Sequence, residues 1–363
     1  MTAEKQMRVW LIGAAVFIAL LFLLRGVLLP FVAGMGVAYL LDPVCDRLER
    51  MGLSRTLATV LVMAVSLVVF ILFLLLLAPL IVSQFLDFLA QLPKIVDSLR
   101  AQVENLMALL RDRLDPETLS QLRESLRGSV SSGVAWMTDL LGGVLSGGVA
   151  LINLLSLLFI TPIVAFYLLR DWDVMVSRID DYLPRRHRDT IRDLVRQADE
   201  TLAGFVRGQA AVCFVLGLFY MIGLVVLGLE FGFVVGLLAG LLTFIPYVGS
   251  LTGLVLSVGL AIAQFDEPWR IAAVAILFFV GQAVEGNYLT PKLVGERTGL
   301  HAVWVIFALL AGGALFGFLG VLLALPVTAV IGVLVRFGLQ RYRQSALFGI
   351  EDETESKKAE GGM

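Results

Sequence analysis

Two side-chain chemistries are almost missing from these 363 residues: there are two cysteines and two histidines. Cys45 and Cys213 share no metal-binding or redox spacing, and Cys213 sits in an apolar run, the setting of a buried, inert thiol. His187 and His301 have no carboxylate or cysteine beside them at ligand spacing, so no metal site is expected. No nucleophile motif and no phosphate loop is present, and the glycines at 142, 143, 147 and 148 are too irregular to make one. No cofactor is expected, and an enzyme is the reading the sequence supports least. Charge is scarce too: 16% of residues are charged, against roughly 25% in a soluble domain. The formal net charge of −2 removes the basic surface that a nucleic-acid partner requires.

What fills the space is apolar. Hydrophobic residues make up 59% of the chain and the mean hydropathy is +0.91. A soluble fold of this length could not hide that much apolar surface, so a lipid bilayer is its solvent. Six full spans are expected: 9–24, 26–41, 56–80, 149–169, 209–229 and 271–289. The first lacks a cleavage site and runs straight into more membrane-like sequence, so it reads as a retained helix. Pro43 is expected to end the second at Asp42. Residues 83–140 change character. Ile95, Leu99, Val103, Leu106, Leu110 and Leu114 recur at helical spacing, and Asp115-Pro116 restarts a helix whose stripe continues through Leu119, Leu122, Leu126 and Val130. These stripes are expected to pack on each other and on further copies of the chain.

Two segments, 231–264 and 301–334, are apolar yet broken in the middle. Each limb is about 15–17 residues, short of the ~20 that an upright helix needs to cross a bilayer. Both carry LLAG followed by an aromatic-and-glycine break. Arginines cluster at 47–55, 178–207 and 336–343, which places those regions and both termini in the cytoplasm. The parity then closes only if each broken segment returns to the side it entered from. The expected fold is therefore all-α and polytopic: six full transmembrane helices plus two re-entrant hairpins, with helix-plus-hairpin repeated in inverted orientation. The expected organisation is membrane helices in 1–82, an extracytoplasmic amphipathic segment in 83–140, a fourth span in 141–169 and a cytoplasmic linker in 170–207. A core with both hairpins follows in 208–343, then a disordered polar tail in 344–363.

Paired interrupted segments point to a transporter's binding site. In the first break stand Thr243, Phe244, Pro246, Tyr247, Gly249 and Ser250. Pro246 cannot donate, so carbonyls are freed, and the amides of the returning limb point at the break. In the second stand Phe316, Gly317 and Gly320. Gln282 and Glu285 share a helix face, with Asn287 and Pro291 following; an acidic group at membrane depth is costly and functional by default. A plain turn between short spans, and a rim carboxylate paired with Lys292 or Arg297, are the structural alternatives. Gly232, Gly236 and Gly240 form a smooth stripe for close helix packing. Asn153, Thr161 and Gln209 read as interhelical glue.

In this order, AYLLDP (38–43), FIPYVG (244–249) and QAVEGNYLTPKLVG (282–295) running into LLAGGALFGFLGVLLALP (309–326) resemble the autoinducer-2 exporter family of permease-like proteins. The resemblance covers about residues 9–342. It implies a polytopic bacterial inner-membrane protein with cytoplasmic ends, linked to export of autoinducer-2 in some members and to sodium–proton exchange in others. The leading expectation is a secondary transporter that exports a small polar organic molecule by alternating access at the hairpin tips. The rivals are a sodium (or lithium)/proton antiporter using Glu285, with a proton or sodium as coupling ion, and a non-transporting membrane scaffold. A homo-oligomer is expected in each case.

Overall fold

The computed structural model describes residues 8, 12–13, 16–17, 19–110, 115, 117–118, 120–121, 124–125, 128, 132, 148–294 and 302–344. Every regular element among the described residues is a helix. In chain order these are α1 (Leu28–Arg50), α2 (Arg55–Leu110), α3 (Gly148–Asp181), α4 (Arg188–Val226), α5 (Gly232–Leu242), α6 (Val248–Gln264), α7 (Pro268–Val284), α8 (Ala302–Phe316) and α9 (Phe318–Arg343). A π-helical segment, Glu285–Val294, extends α7.

Among the described residues, six helices are long and apolar enough to cross a membrane. Five of them overlap the expected spans from 26–41 to 271–289; the sixth is Phe318–Arg343, expected only as a returning limb. Of the expected helix at 9–24, residues 12–13, 16–17 and 19–23 are helical and 9–11, 14–15 and 18 lie outside the described residues. The window in Arg55–Phe88 is only 6% buried, and an apolar surface of that size is stable only against lipid or another protein.

Pro43 does not end α1, which continues to Arg50. A proline removes one helical hydrogen bond, and here the turns around it are held from outside. Arg55 donates to Asp42 at 2.8 Å, Asp46 at 2.7 Å and Glu49 at 3.3 Å, all on α1, and its Nε to the Leu169 carbonyl of α3 at 2.8 Å. Likewise α2 runs without a break from its membrane span into the 83–140 segment as far as Leu110. Most of the stripe from 111 onward, the glycine-rich patch, His301 and the tail lie outside the described residues.

The chain divides into two compact units, residues 30–170 with 208–293, and residues 1–29 with 171–207 and 294–363. In the first, Ala38, Cys45, Val62 and Leu169 form a buried cluster where α1, α2 and α3 meet. Gly34 lies against Val164 and the Thr161 carbonyl, and Thr161 donates to the Pro30 carbonyl at 3.3 Å, as the glue reading expected. The glycine stripe packs α5 on α4. Gly232 abuts Leu224, Gly236 abuts Met221, and Gly240 abuts Gly217, so the two backbones touch.

In the second unit, α3 and α4 meet at a turn, residues 182–187, pinned by Asp180. Its carboxylate accepts from Arg188 at 2.6 Å and from both Arg192 nitrogens, at 2.7 and 2.5 Å. Helices α8 and α9 pack on each other through Gly312 and Gly320, whose backbones leave no space for a Cβ.

Candidate functional site

The break at residues 243–250 is built by the local sequence. Helix α5 is 11 residues long and α6 is 17, about 16 and 26 Å. Their bases are tied together by one side chain. Gln264 accepts from the Glu230 amide at 2.8 Å and donates to the Gly228 carbonyl at 2.9 Å. Phe231, which precedes α5, meets Phe88 of α2 edge-on at 5.5 Å. At the other end Pro246 has no amide to continue a helix, and Tyr247 takes a left-handed conformation, φ 65° and ψ −24°. Such a conformation in a non-glycine residue costs about 1–3 kcal/mol and clusters at functional sites. No side chain caps α6. Gly249 sits directly on the end of α5, where an added Cβ would overlap the Thr243 amide and hydroxyl.

Polar side chains surround this tip. Thr243 is 1% exposed and its hydroxyl donates back to the Ala239 carbonyl at 2.8 Å. Ser250 donates to Gln282 Oε1 at 2.5 Å, and Gln282 Nε2 faces Glu285 Oε2 at 3.4 Å. Glu285 is 7% exposed, and among the described residues Gln282 is its hydrogen-bond partner and no cation pairs with it. The expected rim pair with Lys292 is not formed; Arg297, the other expected partner, lies outside the described residues. On α4, Tyr220 is fully buried, stacked on Phe278 of α7 at 4.5 Å, and its hydroxyl has no partner among the described residues. Glu285 is thus linked through Gln282 to Ser250, and the Tyr220 hydroxyl lies against Gly281, about one turn before Glu285. No group of three or more metal-ligand side chains occurs among the described residues.

The remaining expected residues fall elsewhere on this frame. Phe244 and Pro246 are half-buried and Tyr247 is exposed. Asn287 and Pro291 are exposed on the π-helical segment, and Asn287 spends its amide on the Ala283 carbonyl at 2.8 Å. Phe316, Gly317 and Gly320 belong to the other unit, where Phe316 ends α8, Gly317 makes the turn and Gly320 lies in the first turn of α9. Gly317 has φ 61° and ψ −138°, a conformation that only glycine enters freely. Phe316 meets Phe22 edge-on at 6.0 Å, and Arg25 donates to the Leu315 carbonyl at 3.3 Å.

Three features escaped the sequence reading. Gln264 was not singled out, and Gln209 was read only as glue. An amide in an apolar run must find a partner when buried, so both were detectable as groups needing one. The π-helical turn was also missed; its signal is Pro291, which cannot bond back to the carbonyl four residues earlier and forces a wider turn.

A family model described as AI-2E family transporter matches residues 11–340. The chain is 28% identical over 319 residues to "Putative transport protein YrrI" of Bacillus subtilis (strain 168), covering 86% of each. It is 26% identical over 317 residues to "Putative permease PerM" of Escherichia coli (strain K12), covering 87% of this chain and 88% of the relative. It is 31% identical over 303 residues to "Putative transport protein sll0063" of a Synechocystis species, covering 81% and 73%.

Proposed function

Because the chain belongs to the AI-2E transporter family, we propose that it is a secondary transporter that exports a small polar organic molecule of the autoinducer-2 type, using residues 243–250 as binding site and gate. One observation carries this reading: a broken, uncapped helix pair whose tip meets buried amide, hydroxyl and carboxyl groups inside a unit built from membrane-spanning helices. Irregular backbone at that depth is tolerated where protein or a water-filled cavity surrounds it. Helices α5 and α6 are each short of an upright crossing, and Gln264 holds their outer ends together, which supports re-entry. The second pair is less even, since α9 has 26 residues; its last turns, with Arg336, Arg341 and Arg343, would extend past the lipid. Helix-plus-hairpin would then occur twice, in opposite orientation. The site would comprise the 243–250 tip with Gln282, Glu285, Asn287 and Pro291; Phe316, Gly317 and Gly320 would serve the second hairpin in its own unit. The setting would be a bacterial inner membrane with cytoplasmic termini. Exposed α2 would meet further copies of the chain.

A second reading, sodium (or lithium)/proton exchange, is favoured by one specific observation, the buried carboxyl group of Glu285, which pairs with no cation among the described residues. Reconstituted liposomes separate the two. Efflux of autoinducer-2 that leaves sodium flux unchanged supports the exporter. Sodium flux driven by a pH gradient, lost in Glu285→Gln and independent of added organic molecules, supports the exchanger and overturns the exporter.

A further inference from the structure

The α6 side of the break is held through Ser250 and Gln282, part of the site proposed above. The α5 side is held by a residue outside it. Gln209 stands on α4, is 5% exposed, and donates its Nε2 to the Thr243 carbonyl at 2.8 Å and the Phe244 carbonyl at 3.5 Å. In a continuous helix these carbonyls would accept the amides of residues 247 and 248. The break redirects them: the Val248 amide bonds to the Ile245 carbonyl, and no turn amide reaches the Thr243 carbonyl. A buried carbonyl left without a donor is costly, so the Gln209 amide substitutes for the missing turn.

We infer that Gln209 is a positioning residue that latches the α5 end of the break, and that opening of the tip requires its release. This rests on reading residues 243–250 as the gate. Once released, the Thr243 carbonyl is a bare acceptor inside the protein. It suits a donor-rich, hydroxyl-bearing molecule, which can take over the hydrogen bond that Gln209 gives up. Gln209 thereby sets both the closed state and the chemistry the open tip offers.

The test uses a reporter buried in the closed tip, Ile245→Cys, at a position 8% exposed, with Cys45 and Cys213 replaced by alanine. The full-length protein is reconstituted in liposomes and treated with a membrane-impermeant maleimide. Rates are divided by those of the Gln209 parent at the same pH. Gln209→Met keeps the shape but removes the donor, and is expected to raise labelling about five-fold, the effect of one net hydrogen bond on a two-state equilibrium. Gln209→Glu is expected to raise it at pH 8 and return it towards the parent at pH 5, where a protonated carboxyl donates again. A merely packing role would leave Met equal to Gln and Glu without pH dependence; either result overturns the inference. Labelling needs no transported molecule. A latch that responds in this way while no candidate solute moves would sustain the inference and overturn the transport reading.

Discussion

At Gly249 there is no space for a side chain. A Cβ there would overlap the Thr243 amide, its hydroxyl and the Ala239 carbonyl, two of the three belonging to backbone. Backbone cannot yield as the end of a flexible side chain does. Gly249→Ala is therefore expected to destabilise the protein by about 1–3 kcal/mol, read as a lower thermal midpoint in detergent, and to impair transport. Gly249→Val should be worse on both counts. Gly259 has open space around it, so Gly259→Ala in the same helix is the control and should leave both nearly unchanged. Equal behaviour of the two alanine variants would contradict the packing described. The sequence made Gly249 visible as part of a break, but only the fold shows that its role is contact with Thr243. Glu285 was legible as an acidic residue in an apolar helix. Its partner Gln282 was legible too, three residues away on the same face, but the Ser250 that bonds Gln282 comes from another element, 32 residues apart, and no periodicity announces such a pair.

Among elements, the sequence pattern described the helices well and their ends poorly. Pro43 was expected to stop α1, yet the helix continues to Arg50. The reason is tertiary: Arg55 gathers Asp42, Asp46 and Glu49 from α1 and the Leu169 carbonyl from α3. A backbone preference of a few kcal/mol yields to such a clamp. The Arg55 side chain is 18% exposed, while Asp42 and Asp46 are 37% and 48% exposed. The network is thus partly screened and worth less than a buried ion pair. Arg55→Ala is expected to cost about 1–3 kcal/mol, seen as a lower thermal midpoint and as faster proteolysis near residues 51–54. Arg55→Lys should recover only part of it, because one ammonium cannot reach all these acceptors in a planar fork. Full recovery by lysine would mean that charge alone matters. The AYLLDP motif acquires a physical role here, since its Asp42 is one arm of this clamp.

For the whole molecule, composition was the most informative level. An apolar fraction of 59% required lipid, and the six long apolar helices agree. Membership of the AI-2E transporter family was carried by short motifs in a fixed order, of which the FIPYVG stretch forms the break between α5 and α6. What composition could not give is how the pieces close on each other, because the Gln264 and Gln209 clamps join residues 34 to 36 positions apart. If solute passes at this break, blocking it chemically stops transport. Tyr247 is 61% exposed at the tip. Tyr247→Cys, with Cys45 and Cys213 replaced by alanine, is reconstituted in liposomes, and efflux of autoinducer-2 is followed before and after treatment with a bulky impermeant thiol reagent. The expected result is loss of at least nine-tenths of the flux on complete modification, with modification slowed when the solute is present, because a ligand shifts only states it binds differently. Complete modification with flux unchanged would contradict a transport path through this tip.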